Sequence, residues 1–190
     1  MNVDEAVPSS SMGYVEGLPS RYSGVQLSVR LEFAAHALRL SDVPAAVHAL
    51  ELAVATRKTA RNVQAYIMMA TELGSLRQGG FAVDSAWVKA TTASNMADAE
   101  ACEVAVYAQN VPRDVSRSAL LDYARFSEAI GDDAAAVQHF DHARDLGVSA
   151  RQTADTTLAL LELFLSRRDW QNIDKNLSRS ELLTEMSIQK

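Results

Sequence analysis

The sequence predicts an all-α protein built from helical hairpins. Three acidic turns, at Asp42, Asp132 and Asp169, are each followed by three mostly apolar residues with a spacing of four and then three. This spacing puts each trio on one face of a helix. The trios are Ala46, Leu50 and Ala53; Ala136, Phe140 and Ala143; and Ile173, Leu177 and Ser180. A matching apolar face precedes each turn, at Phe33, Tyr123 and Leu160, so each unit is predicted to be helix, tight turn, helix.

The distance between turns indicates how the hairpins pack. The last two turns lie 37 residues apart, close to the period of about 34 residues of tetratricopeptide repeats. Hairpins of this length bury their apolar faces on one another, so we expect tetratricopeptide-like repeats in a short right-handed solenoid. The expected repeat core consists of Ala46, Leu50, Ala53, Tyr123, Ala136, Phe140, Ala143, Ile173 and Leu177. Such a scaffold usually binds partners and does not catalyse reactions.

The helices are delimited by capping and breaking residues. The first is predicted over 25–40, and Ser41 to Pro44 end it and cap the next. A third helix runs over about 61–76 and stops before Gly79-Gly80. A long helix begins at Asp84 or Ser85 and ends before Pro112, and four more helices are expected between 114 and about 187. Residues 1–20 are rich in Ser, Pro and Gly and are predicted to be a flexible leader, with the repeat domain at 21–190.

Composition excludes several classes of protein. The 190 residues are 48% apolar, which argues against wholesale disorder, and the net charge of −6 argues against a nucleic-acid surface. The start of the sequence lacks the charge and apolar run of a signal peptide, and the longest apolar run is too short to span a bilayer. Cys102, the single cysteine, lies among acidic residues that would raise the pKa of its thiol. We therefore expect neither nucleic acid nor a membrane as a partner.

The sequence offers little for catalysis or metal binding. His139 and His142 are three apart around Asp141, a spacing that could hold a metal, but solvent-facing histidines are the favoured interpretation because no third ligand cluster is visible. Asp132 and Asp133 are interpreted as turn and cap residues. No zinc-protease motif, nucleophile elbow, phosphate loop or CxxC pair is present. We predict no catalytic residue, no metal site and no cofactor.

Cations and tryptophans have alternative interpretations. Basic residues cluster at three places: Arg57, Lys58 and Arg61; Arg113 and Arg117; Arg167 and Arg168. Solvated helix ends are favoured over docking to acidic partner surfaces. For Trp87 and Trp170, packing between helices is favoured over exposed interaction hot spots.

Several segments together resemble a known family. They are Tyr22-Ser23-Gly24, Arg30 to Ala35, Ala86 to Thr91, Gly131-Asp132 through Asp145, and Asp169-Trp170 through Arg179. Their order and spacing resemble those of the first subunit of the COP-nine signalosome over about residues 21–181. The sequence is similar, less closely, to the related proteasome-lid subunit of the same PCI class, the Rpn seven type.

The resemblance implies a non-catalytic structural subunit of a complex that removes the ubiquitin-like modifier Nedd from cullin-RING ubiquitin ligases. In that family the isopeptidase is a different subunit, and these proteins work in the nucleus and the cytoplasm. Other signalosome subunits, and cullin-RING components, are then the expected partners. Candidate docking residues are Arg167, Arg168, Leu182, Leu183 and Met186. The PCI winged-helix domain of the family is not in this sequence, so we expect an N-terminal fragment or a different mode of assembly. The alternatives are a free-standing tetratricopeptide-like adaptor that binds a peptide or helix, and a proteasome-lid subunit.

Overall fold

A computed structural model describes residues 10–77 and 79–178, and within them the chain is helical with no strand. The prediction of an all-α fold is therefore confirmed. The helices are α1 (Ser11–Arg21), α2 (Gly24–Leu38), α3 (Val43–Thr59), α4 (Val63–Leu76), α5 (Ser85–Val106), α6 (Arg113–Ile130), α7 (Asp133–Asp145) and α8 (Ala150–Arg167). Residues 170–178 are also helical and are called α9. The chain divides into two compact units, unit 1 over Met1–Ala93 and unit 2 over Ser94–Lys190.

Unit 1 is organised around the hairpin of α2 and α3, with α4 packed on the other side of α3. Asp42 caps α3 by accepting a hydrogen bond from the backbone N–H of Ala45 at 3.1 Å, and Pro44 occupies the first turn. Four alanines of α3 are fully buried: Ala45, Ala46, Ala49 and Ala53. They allow α2 and α4 to approach closely on either side of Leu50.

Unit 2 repeats this arrangement with α6, α7 and α8. Gly131 ends α6 with a φ of 90°, a left-handed conformation that glycine adopts without a Cβ clash. Asp132 then caps α7 through the N–H of Ala135 at 3.0 Å, and Asp169 caps α9 through the N–H of Asn172 at 3.2 Å. The three predicted acidic turns are thus helix N-caps.

The flexible leader predicted for residues 1–20 is helical from Ser11 onward. Val15 and Leu18 are buried in the core of unit 1, and α1 packs on α2 and α3. The high Ser, Pro and Gly content predicted a flexible segment, but Val15 and Leu18 are three apart and lie on one face of a helix. This helix is stabilised by burial of that face rather than by local propensity. Residues 1–9 lie outside the described part of the chain.

Candidate functional site

The predicted repeat-core residues form two internal cores. Within each unit the central large residue of the trio lies between two further helices. Leu50 packs with residues of α2 and α4, and Phe140 packs with residues of α6 and α8. The buried members are Ala46, Leu50, Ala53, Tyr123, Ala136, Phe140, Ala143 and Ile173. These residues hold the hairpins together and are not available to a partner.

Leu177 does not fit that prediction, because it is 45% exposed. It occupies the position in α9 that Leu50 occupies in α3 and Phe140 in α7. Leu50 and Phe140 are covered by the helix that follows, whereas no described element follows α9. Among the preceding faces, Phe33 is also exposed, and Leu31, Ala34 and Ala35 form the buried face of α2 instead.

Two arginines of α6 donate hydrogen bonds to neighbouring helices of unit 2. Arg113 donates through Nε to the carbonyl oxygen of Leu146 at 3.0 Å and through Nη2 to that of Asp145 at 2.8 Å. These carbonyls belong to the C-terminal end of α7, where a cation is favourable. Arg117 donates to the carbonyl of Gln152 and the hydroxyl of Thr156 in α8, both at 2.9 Å. The prediction of solvated cations is wrong for Arg117, which is partly buried, whereas Arg113 remains exposed.

Arg167, a predicted docking residue, is also engaged within unit 2. Its Nη2 lies 2.6 Å from Oδ1 of Asp133, so the end of α8 is paired with the first turn of α7. Arg168 is exposed and forms the left-handed C-cap of α8 with a φ of 57°. The other candidate docking residues, Leu182, Leu183 and Met186, lie outside the described residues.

Sequence reasoning missed the structural role of Arg144. Its side chain is buried and donates to Oδ1 of Asn176 at 2.8 Å and to Asp141, so it ties α7 to α9. A buried guanidinium is stable only when it is paired and hydrogen-bonded. In the sequence Arg144 directly follows the trio residue Ala143, and this position was the signal that its side chain could be buried.

In unit 1 the predicted cluster of exposed cations is divided. Arg57 is buried because it extends the helical stripe of Leu50 and Ala53 by one turn. Lys58 is near the surface and its Nζ lies 2.8 Å from Oδ2 of Asp84. This hydrogen bond raises the pKa of Lys58 and lowers the pKa of Asp84. The pair fixes the start of α5, because Asp84 also accepts from the N–H of Trp87 at 2.9 Å.

The two tryptophans have different environments. Trp87 contacts Tyr66 edge to face with ring centroids 4.5 Å apart, and the Nζ of Lys58 lies 5.2 Å from its ring centroid. Packing between helices was the prediction, and it is confirmed for Trp87. Trp170 in contrast is 62% exposed, because α9 buries only its Ile173 side.

His139 is a packing residue rather than a solvent-facing one. Its ring stacks on Tyr123 with centroids 4.0 Å apart, and the Tyr123 hydroxyl lies 3.4 Å from Oε1 of Glu103. Burial, and then the charge of His142, lowers the pKa of His139. Burial is also the main reason why the pKa of Tyr123 is raised. Across the described ranges no three potential metal ligands come together.

Cys102 lies in α5 and is half-buried. Burial and the carboxylates of Asp98 and Asp122 raise the pKa of its thiol. The sequence predicted that the adjacent glutamates raise this pKa. In the structure the charges that raise it are those of Asp98, one turn earlier in α5, and Asp122 on α6. A thiol with a raised pKa is a poor nucleophile at neutral pH.

Several large apolar side chains of unit 2 are exposed. On the C-terminal half of α5, Met96 and Val104 are 70 and 69% exposed, and Tyr107, directly after α5, is 70% exposed. On α8, Leu158 and Leu165 are 58 and 52% exposed. Surfaces of this kind often mark sites of protein association. No helix in the described ranges has both the length and the apolarity needed to cross a bilayer.

Comparison with known proteins places these features in a family of assembly subunits. The family described as 26S proteasome subunit RPN7 matches residues 84–187, which is more than half of the chain and runs from the start of α5 through α9. The chain belongs to this family. It is also similar to COP9 signalosome complex subunit 1 of Neurospora crassa, with 30% identity over 142 residues. The match covers 72% of this chain and 33% of the relative, so the chain spans about a third of that relative's length. The resemblance to this PCI-class family predicted from the sequence is confirmed.

Proposed function

We propose that this chain is the helical-repeat part of a non-catalytic scaffold subunit of the COP9 signalosome, which removes the ubiquitin-like modifier Nedd from cullin-RING ligases. The observation that carries the proposal is the 30% identity to COP9 signalosome complex subunit 1 over 142 residues, and the family match over 84–187 covers the hairpins of unit 2. The similarity to a first signalosome subunit favours this complex over the proteasome lid.

The chemistry of unit 2 supports a scaffold role. Four of its arginines join helices: Arg113 and Arg117 on α6, Arg144 on α7 and Arg167 on α8. The perturbed pKa values of Tyr123 and His139 have burial as their first cause and belong to side chains that pack on each other. Part of the surface that remains accessible is apolar and suited to protein partners.

Affinity purification tests the proposal. The full-length gene product is tagged in its own cells, and the proteins that co-purify are identified by mass spectrometry. We expect the signalosome subunits as a set, with cullin-RING components at lower abundance. Recovery of the proteasome lid instead would establish the runner-up function, which the family description favours. A single dominant ligand without either set would identify a free-standing adaptor.

Two variants control this experiment. Ala136 is fully buried between α6, α7 and α8, so Ala136→Arg should open the hairpins and abolish co-purification. Ala154→Arg adds the same side chain to an exposed position of α8 and should retain the partners. Loss with both variants would indicate that the assay reports surface charge rather than the repeat fold.

The catalytic and cellular parts of the proposal have separate tests. The purified chain should leave a neddylated cullin intact, whereas cells that lack the gene should accumulate the neddylated form. The fluorescently tagged full-length protein is expected in both nucleus and cytoplasm. Cleavage by the chain itself, after rigorous removal of contaminating metalloprotease, would exclude the non-catalytic role.

A further inference from the structure

The C-terminal half of α5 exposes an apolar face. Met96, Ala97, Ala101, Val104 and Tyr107 recur at helical spacing and are exposed. We call these five residues the α5 outer face. They all belong to unit 2. Tyr107 directly follows α5, and its N–H still donates to the carbonyl of Glu103 at 3.0 Å, so it continues the helical surface.

The opposite face of the same helix is less exposed. Ala99, Cys102 and Val106 are half-buried there. Glu103 is close to this side, and its carboxylate accepts a hydrogen bond from the hydroxyl of Tyr123. A surface helix normally turns polar residues to solvent once one face is packed. The outer face departs from that rule, so apolar residues are present where packing within the unit does not require them.

Between Lys89 and Arg113 the charged residues of the chain are of one sign. Residues 90–112 contain Asp98, Glu100 and Glu103 and no lysine, arginine or histidine. Glu100 is exposed and lies between Met96 and Val104 on the helix surface, within the outer face, and Glu103 is exposed beside Met96. A second copy of α5 on this face would oppose carboxylates to carboxylates, which is unfavourable. A partner with flanking cations would instead satisfy both the apolar stripe and the acidic residues.

We infer that the α5 outer face docks an amphipathic helix of a partner subunit, and that this helix carries Lys or Arg beside its apolar stripe. The inference rests on the proposed scaffold function, because it names the kind of partner. Ala97 and Ala101 allow close approach of the partner backbone. Met96, Val104 and Tyr107 supply the apolar contact area, with methionine adapting to the opposing surface. Glu100 selects the charge of the partner.

The test uses a defined probe and the complete chain. The probe is a fluorescent peptide of leucine and lysine, with leucine at positions i, i+3, i+4 and i+7 of each helical repeat. A second peptide has every lysine replaced by glutamate. Anisotropy titrations should show the lysine peptide binding at least about tenfold more tightly than the glutamate peptide. Hydrogen exchange should show new protection confined to residues 94–107.

Matched variants distinguish binding at the α5 outer face from nonspecific attraction to an acidic protein. The double variant Met96→Gln and Val104→Gln removes apolarity without changing charge and should weaken binding about tenfold or more. Val43→Gln with Met68→Gln makes the same substitutions at exposed positions of unit 1 and should leave binding unchanged. Glu100→Lys should reduce the preference for the lysine peptide, whereas Glu162→Lys on the exposed side of α8 should reduce it much less.

Several results would overturn the inference. One is equal weakening by the α5 glutamine pair and by the unit 1 glutamine pair, and another is binding that changes among the variants only with their net charge. Sedimentation velocity provides a third: a dimer of the chain that the α5 pair dissociates would assign the face to a second copy. None of these results bears on the co-purification experiment, so failure of this inference and failure of the proposed function are distinguishable.

Discussion

The repeat position shared by Leu50, Phe140 and Leu177 provides a quantitative test of the fold. Phe140 is buried between α6, α7 and α8, so Phe140→Ala removes a full aromatic ring and leaves a cavity. Substitutions of this kind cost about 3–5 kcal/mol. Full burial of leucine is worth about 1.5–3 kcal/mol. Because Leu177 is 45% exposed, Leu177→Ala should cost only about 1 kcal/mol and create no closed cavity.

Hydrogen exchange measured by mass spectrometry is the appropriate assay, since the two units need not unfold together. Opening free energies of α6 and α7 amides should fall by the full amount in Phe140→Ala. In Leu50→Ala the corresponding loss, about 2–5 kcal/mol, should appear in α2 to α4. Leu158→Ala, at an exposed position of α8, is the control. A loss in Leu177→Ala as large as that in Phe140→Ala would show that Leu177 is buried in solution and that our account of α9 is wrong.

Three further predictions concern single contacts in unit 2. The pKa of His139 is lowered in the folded chain, so the unfolded chain takes up the proton first as the pH falls; stability should therefore decrease below pH 6.5, the ordinary pKa of histidine. Urea titrations at several pH values should show a flatter profile for His139→Phe, and an unchanged profile would contradict this assignment. Arg144→Ala removes the hydrogen bonds to Asn176 and Asp141 and should cost about 1.5–3 kcal/mol, with faster amide exchange in 170–178; unchanged exchange there would mean that Arg144 does not hold α9. Gly131→Ala forces a Cβ into a φ of 90° and should cost about 1 kcal/mol in chemical denaturation, whereas no loss would show that the turn relaxes.

The interactions of individual charged residues followed from the tertiary structure. The sequence placed Arg57, Arg113 and Arg117 near helix ends and predicted solvated side chains. In the structure Arg57 is buried on the stripe of Leu50, and the other two donate to backbone carbonyls of neighbouring helices. The partners are about thirty residues or more away along the chain. A local pattern contains no information about such a partner.

The sequence by itself determined the all-α fold, the three acidic caps and the buried trios of α3 and α7. These features depend on contacts within one turn: an aspartate that accepts from an N–H three residues later, and small and large residues at helical spacing. Only the tertiary structure showed that α1 is a helix, that His139 stacks on Tyr123, and that Leu177 and Trp170 are exposed. Each of these depends on whether another element covers a given face. Leu177 has the same local pattern as Phe140, and it differs only because α8 covers Phe140 while no described helix covers Leu177.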